Sequence, residues 1–477
     1  MTCLEGASAR RRSSVRRKTS PHKKTPLAKQ TSARETALVV LVRLDQEDVY
    51  ADRALMKELA ESRLDRRDRA LVTELVNGVL RWRRRLDWHL DHLLRRRSME
   101  DVTPWIGNIL RLGLYQLRYL ERIPPSAATD ESVKLARRYG HRGTVSLVNA
   151  VLRSALRANL EEPPVPSREE DPARSIGIQY SHPDWMVSRW LGRYGPEETV
   201  RLCAANNRVP DVTVRVHRLR ADPETVRQAL AEEGIESRPG RMANGFLRLR
   251  SAGALTSTRA FRSGWLQVQD ESAALSVMLL DPQPGEQIID LCAAPGGKTS
   301  HLADRMNDRG LLLAVDRHPG RLGQLADTCR RLGLRSVRPV VADGRTISTG
   351  TVDRVLLDAP CSGLGVLSRR ADLRWTKRED DIQRLAGLQM ELLRHAVDLI
   401  RTGGSVVYST CTIEDEENEN IVRRLLSKRK DVILDTPPAF MRREVLTPDG
   451  MIRTFPHRHG VDGIFAARLR KIGESRP

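Results

Sequence analysis

Two cysteines in the last quarter of the chain stand where a sheet enzyme presents its reacting groups. Cys361 follows the apolar run RVLLDAP and Cys411 follows VVYST, and each run reads as a buried strand. Sulfur attacks as the thiolate, and a free cysteine ionises near pH ~8.5. A site must therefore lower that value or supply a base. A lone cysteine at a strand end is most simply a small buried hydrophobe. Two of them, in the contexts Pro-Cys-Ser-Gly and Ser-Thr-Cys-Thr, at the same end of one sheet, are placed to act together. Asp358, just before Cys361, is a candidate proton donor if burial raises its pKa.

Upstream, DLCAAPGGKTS joins a strand ending at Asp290 to a helix. In an open α/β sheet, ligands bind beyond the carboxyl ends of the strands. The loop Cys292, Ala293, Ala294, Pro295, Gly296, Gly297 and Lys298 is therefore the candidate cofactor site. Its paired glycines let backbone approach a ligand and adopt positive φ. Asp316 closes the next strand, where a carboxylate grips ribose hydroxyls. Asp343 closes a third and can meet the adenine side of an adenosyl cofactor. Lys298 can orient Asp358 or a cofactor group, or simply open the helix; Arg321 can contact the cofactor or stand as a solvated charge. Cys292 also has the simpler role of packing. Gln269 and Asp270 lie near the site or cap the helix after them.

Two rival readings of the loop fail on spacing. A phosphate loop needs glycine five positions before its second glycine, and counting back from Gly297 gives Cys292. A dinucleotide site needs G-x-G-x-x-G, where this loop has Pro-Gly-Gly. A nucleoside-type cofactor remains.

The elements that must position these groups alternate along the chain. Strand candidates QIIDL (287–291), LLLAVD (311–316), VRPVVAD (337–343), VDRVLLD (352–358) and SVVYST (405–410) are separated by helical stretches, the longest being EDDIQRLAGLQMELLRHAVDLI. This predicts an α/β doubly wound, Rossmann-like, mainly parallel sheet over 264–472. Residues 33–157 are helical by periodicity, with Ile106, Ile109, Leu110, Leu114 and Leu117 on one face and Val148, Val151, Leu152 and Ala155 on another. They predict an all-α bundle. Residues 158–179 are Pro- and Glu-rich and read as a linker, followed by a small α/β segment over 180–263.

The 477 residues carry a net charge of +20, which points to a polyanionic partner such as nucleic acid. An Arg-rich genome alone can raise the charge but supplies no catalytic motif. The first 32 residues, with RRRSSVRRKTSPHKK, cannot bury a core and read as a basic disordered tail. No apolar run reaches the ~20 residues that span a bilayer, so no membrane role is expected. Six cysteines with no CxxC pair argue against a metal site and for a reducing cytoplasm. Cys203 and Cys329 read as structural, and Cys3 falls in the tail.

The strings WLQVQDESA, DLCAAPGGKTSHLA, AVDRHPGRL, ADGR, DAPCSGLGVLSRRADLRW, YSTCTIEDEENENIV and HGVDGIFAARLRK, in this order, resemble the RNA cytosine-5 methyltransferases of the Sun/Fmu (RsmB) and NSUN type. The helical part, with IPPSAATDESVKLARRYG and SLVNAVLRSAL, is similar to the NusB-type RNA-binding domain, as in the bacterial 16S ribosomal RNA branch. The resemblance implies S-adenosyl-L-methionine as cofactor and small-subunit ribosomal RNA as partner. It also implies Cys411 as nucleophile on cytosine C6 and Cys361 as the thiol that assists release, with a monomer expected. One departure is His217 in RVHRL, where the family usually has Asn; it reads as a packing or surface histidine. Two alternatives stay open: a non-catalytic RNA-binding or assembly factor, and cytosine-5 methylation of tRNA.

Overall fold

Helical periodicity begins where a hydroxyl can cap it. Ser32 accepts a hydrogen bond from the Glu35 backbone N–H and opens α1 (Ala33–Gln46). The structure, a computed structural model, describes residues 32–95, 97–250 and 255–473; the rest of the basic tail expected over 1–32 lies outside the described residues. The helices α2 (Ala51–Glu61), α3 (Arg66–Leu94), α4 (Pro104–Tyr119), α5 (Pro125–Tyr139) and α6 (Arg142–Arg157) complete the bundle. Proline opens α4 and α5, where its missing N–H costs nothing. Ile109, Leu110 and Leu114 of α4 share a core with Val148, Val151, Leu152 and Ala155 of α6, and Leu117 packs at its edge. Gly113 allows this approach, since a Cβ there would sit 2.6 Å from Leu152 Cδ1.

The segment expected to be linker, 158–179, is helical at its end. Asp171 caps α7 (Pro172–Gln179), and Ser175, Ile176, Gly177 and Ile178 are buried. So short a helix has no internal periodicity to read and draws its stability from packing on α8 (Asp184–Asn206). The chain then forms β1 (Val212–Val216), α9 (Pro223–Glu232), β2 (Ser237–Pro239), β3 (Phe246–Leu249), α10 (Arg259–Arg262) and β4 (Leu266–Val268). These four strands make a small sheet in the order β2-β3-β1-β4, all antiparallel. The small segment thus extends past the expected boundary at 263, because β4 pairs with β1.

After α11 (Glu271–Leu280) comes the large sheet. Its elements are β5 (Gln287–Asp290), α12 (Gly297–Arg305), β6 (Leu311–Asp316), α13 (Pro319–Leu332), β7 (Val337–Val341), β8 (Val352–Asp358), α14 (Leu373–Thr376), α15 (Glu379–Leu399), β9 (Ile400–Thr410), α16 (Glu419–Lys428), β10 (Val432–Leu434), β11 (Ile452–Arg453), α17 (Pro456–His459) and β12 (Phe465–Lys471). Strand order is β10-β12-β9-β8-β5-β6-β7. The five strands from β7 to β9 are parallel, while β12 and β10 add antiparallel edges. Pairing of Asp290 with Leu356, and of Asp358 with Ser409, brings the carboxyl ends of β5, β8 and β9 to one level. The doubly wound sheet after a helical bundle is the architecture expected. No helix among the described residues is long and apolar enough to cross a membrane.

The bundle is not a separate bead. Arg374, 1% exposed, donates to the carbonyls of Arg81, Ser181 and Asn206 and to Asn207 Oδ1 at 2.8–3.1 Å. Arg81 Nη2 answers with a bond to Ser368 O at 3.0 Å, and Trp375 Nε1 reaches Leu80 O at 2.7 Å. The loop that begins at Cys361 therefore ends against the bundle.

Candidate active site

Strand ends converge on two sulfur atoms. Cys361, beyond β8, and Cys411, beyond β9, place their Sγ atoms 3.2 Å apart. The Cys411 backbone N–H also donates to Cys361 Sγ at 3.3 Å. The hydrogen bond between the thiols polarises the pair. Sharing that bond, and burial, hold Cys361 well above the usual thiol range, while the same bond holds Cys411 below it, with Lys298 adding to the effect. Of the two sulfurs, Cys411 is the better thiolate.

Each thiol is fixed by the loop behind it. Glu417 accepts from the Ser362 backbone N–H at 2.9 Å, Ser362 Oγ at 2.5 Å and Gln389 Nε2 at 2.9 Å. Ser362 Oγ lies 2.7 Å from Thr412 Oγ1, tying one cysteine loop to the other. Glu414, fully buried, accepts from Arg189 at 2.9 Å, Arg193 at 3.2 Å and Trp190 Nε1 at 3.0 Å, all on α8. Gly365 N–H binds Cys411 O at 3.1 Å, and Gly463 N–H binds Gly365 O at 2.8 Å. None of these supports was singled out from sequence. A signal for the clamp existed: Arg189 and Arg193 are one helical turn apart, and the acidic run IEDEE has no basic residue of its own.

Asp358 faces the thiols from the end of β8. Lys298 Nζ sits 2.6 Å from its Oδ1, and Ser409 Oγ donates to the same oxygen at 3.0 Å. Lys298 thus pairs with Asp358 rather than standing free at the helix start. The carboxyl is 33% exposed rather than buried, because it opens onto the cleft. That cleft encloses about 250 Å³ and is bounded by Cys292, Ala294, Asp316, Arg321, Asp343, Asp358, Cys361 and Cys411, with Val315, Leu388 and Leu392 as apolar wall.

The loop after β5 turns sharply to build the cleft floor. Asp290 is fully buried, with its Oδ2 accepting from Thr299 Oγ1 at 2.7 Å; burial raises its pKa to about 7. The Ala294–Pro295 peptide is cis. Gly296 has φ +103, and a Cβ there would meet Leu325 Cγ at 2.8 Å, so only glycine fits. Asp316 receives the backbone N–H of His318 at 2.9 Å and of Ala294 at 3.3 Å, while Arg321 Nη2 donates to Ala294 O at 2.6 Å. Asp343 is clasped by Arg345 at 2.7 Å and pulled down to about 2. Cys292, Ala294, Asp316, Arg321 and Asp343 therefore meet at one cleft, while Pro295, Gly296 and Gly297 shape the loop behind it.

The remaining candidates fall elsewhere. Asp270 caps α11 through the Ser272 N–H at 2.9 Å and pairs with Arg369 at 2.6 Å. Gln269 accepts from Arg215 at 2.8 Å. His217 is buried, with Nδ1 3.0 Å from Asp304 Oδ1. Burial pushes the Cys203 thiol up to about 12 and Cys329 to about 11, as fits packing residues. Cys3 lies outside the described residues.

A family model described as 16S rRNA methyltransferase RsmB/F matches residues 277–470. The NusB family matches 31–157, and an RsmF/B-like ferredoxin-like domain matches 182–256. A Bacillus subtilis protein named probable ribosomal RNA small subunit methyltransferase B is 37% identical over 454 residues, covering 93% of this chain and 100% of its own. A Synechocystis sp. protein of the same name is 40% identical over 451 residues, covering 92% and 99%. The crystal structure of PH0851 superposes with a TM-score of 0.78 at 27% identity, over 94% of this chain and 100% of that one.

Proposed function

The chain belongs to the RsmB/F family of 16S rRNA methyltransferases, and from that premise we propose that it methylates C5 of a cytosine in small-subunit rRNA through a covalent Cys411–C6 bond. The observation that carries this reading is the thiol pair, 3.2 Å apart at the mouth of a cleft that also holds Asp358.

S-Adenosyl-L-methionine fits that cleft by chemistry. Asp316 offers a carboxylate for ribose hydroxyls, Val315, Leu388 and Leu392 form an apolar slot for a purine, and the far end opens at the thiols. When bound, it supplies an electrophilic methyl group on sulfonium sulfur.

Cytosine C5 is a poor nucleophile until C6 is substituted. The Cys411 thiolate adds to C6, and the ring electrons move to C5 and N3. N3 receives the proton it needs through Asp358, which draws it from the Lys298 ammonium 2.6 Å from its Oδ1. C5, now enamine-like, takes the methyl group. A base then removes the C5 proton, N3 returns its proton through Asp358 to Lys298, and the C6–S bond breaks with its electrons returning to Cys411. The Cys361 thiol, donating to that sulfur, stabilises the departing thiolate. The target base must leave its stack to expose both faces, which favours a single-stranded or flipped nucleotide.

Intact thiols and an intact Lys298–Asp358 pair weigh against a non-catalytic assembly factor. The relatives' names favour small-subunit rRNA over tRNA. RNA carrying 5-fluorocytosine tests the adduct: wild type becomes covalently bound in the presence of cofactor, and Cys411→Ala forms no adduct. Bisulfite mapping of total RNA with and without the gene identifies the base; an unchanged small-subunit rRNA refutes the substrate.

A further inference from the structure

A second cleft, of about 190 Å³, lies where the small sheet meets the large one. Four arginines line it, and two are engaged within the protein. Arg248 reaches Asp211 at 3.5 Å, and Arg369 ties Asp270 and Asp462 at 2.6 and 2.9 Å. Arg208 and Arg241 are exposed, and their side chains have no hydrogen-bond or ion-pair partner among the described residues. The Arg241 guanidinium lies over Gly460, which has φ +67 and no side chain to displace it. Val209, 74% exposed next to Arg208, adds an apolar contact at the rim.

The cleft is built from the same two loops that back the nucleophile. Arg369 continues the loop begun by Cys361. Asp462 precedes Gly463, whose N–H holds Gly365 O at 2.8 Å, and Gly365 N–H holds Cys411 O at 3.1 Å. The carboxylates of the cleft are already taken, Asp270 and Asp462 by Arg369, Asp211 by Arg248 and Glu271 by the Met242 and Ala243 N–H groups, so the two unpartnered guanidinium groups, in a cleft joined to the Cys411 backbone through Gly463 and Gly365, match one ligand chemistry. Phosphodiester oxygens accept guanidinium hydrogen bonds in pairs, and a strand that delivers a base to Cys411 must run its backbone past these loops. A ribose or base face suits Val209.

We propose that Arg208 and Arg241 form a phosphodiester-binding site for the RNA strand flanking the target nucleotide, with Arg369 locked by its two carboxylates as a wall of the groove. This rests on the reading above that the substrate is RNA.

The test is the salt dependence of binding to in vitro transcribed 16S rRNA, from about 50 to 200 mM KCl. Each phosphate neutralised contributes about 0.7–0.9 to the slope of log K against log salt. The double variant Arg208→Gln/Arg241→Gln should lower the slope by about 1.4–1.8, so that its affinity loss across that range is about tenfold smaller than wild type's. Arg309→Gln is the control, since Arg309 is exposed just before β6, at the opposite end of the parallel strands. It should keep the wild-type slope, and S-adenosylmethionine binding by the double variant should match wild type, which also reports a folded protein. A wild-type slope in the double variant, or an equal change in Arg309→Gln, overturns the site while leaving the proposed reaction standing. A wild-type protein that does not bind the RNA at all overturns both.

Discussion

Replacing Cys361 by alanine removes the thiol that donates to Cys411. That bond is the largest cause of the lowered Cys411 pKa, ahead of Lys298, while burial works against it. A hydrogen bond to a charged group contributes about 1.5–3 kcal/mol, equivalent to about 1–2 pKa units. In Cys361→Ala, ionisation of Cys411 should therefore move up by about 1–2 units, and at neutral pH its alkylation should slow about tenfold or more. The assay is the iodoacetamide rate at the Cys411 peptide, followed by mass spectrometry as a function of pH. Cys361→Ser keeps a donor and should shift less. Cys361→Ala should also accumulate protein covalently joined to ordinary cytosine RNA, because the thiolate leaving C6 has lost its stabilising partner, and Cys361→Ser should accumulate less. An unchanged pH midpoint in Cys361→Ala, or faster labelling of Cys361 than of Cys411 in wild type, would refute the assigned polarity.

At Gly365 an added Cβ would overlap the Gly463 carbonyl oxygen and lie 2.9 Å from Cys411 O. Gly365→Ala should cost about 1–3 kcal/mol in urea unfolding and a larger share of methyl transfer, since the displaced carbonyl belongs to Cys411; full activity would exclude a tight fit here. Asp290 has a folded pKa of about 7 against 3.8 for the free group. The fold therefore prefers the protonated carboxyl, so its contribution to stability is full below about pH 4 and is lost as pH rises to 7, with an upper limit of about 4 kcal/mol. Asp290→Asn should flatten thermal stability across that window, and an unaltered pH profile would refute the burial argument. Arg374→Met strands four acceptors that Arg374 now satisfies. It should destabilise the protein by about 3–5 kcal/mol and expose the segment between α6 and α7 to protease; a loss under about 1 kcal/mol would show that the bundle docks by other means.

The order of layers was legible because each element carries its own period. Residues 33–157 repeat every three to four positions, and the strands from QIIDL to SVVYST are short apolar runs between helices. What escaped were pieces whose stability comes from elsewhere. The helix α7 lies in a Pro-rich stretch and is helical because α8 covers it. Strand β4 has only three residues and exists because β1 offers an edge. The antiparallel strand β12 reads in sequence as FAARLRK, a run interrupted by charge, and its place beside β9 follows from pairing over Phe465–Arg470.

At the site, the residues that line the cleft were readable and the residues that hold them were not, for a physical reason. A thiol, a carboxylate and a glycine pair have few uses at strand ends, so type and position narrow the role. Supports act through partners far along the chain. Glu414 matters because Arg189 and Arg193 lie more than 200 positions earlier, at |i−j| of 225 and 221. Buried without those guanidinium groups, it would be an uncompensated charge costing several kcal/mol. The same holds for Arg374, whose acceptors lie 167 to 293 positions away. These long-range pairs join the bundle, the small segment and the two cysteine loops into one frame. Sulfur-to-sulfur distance is set by that frame, because neither loop is held by its own strand alone: Ser362 meets Thr412, and Cys411 O meets Gly365. The bundle therefore reaches the chemistry through the loop from Cys361 to Trp375, and a change at either end of that loop should be felt at the other.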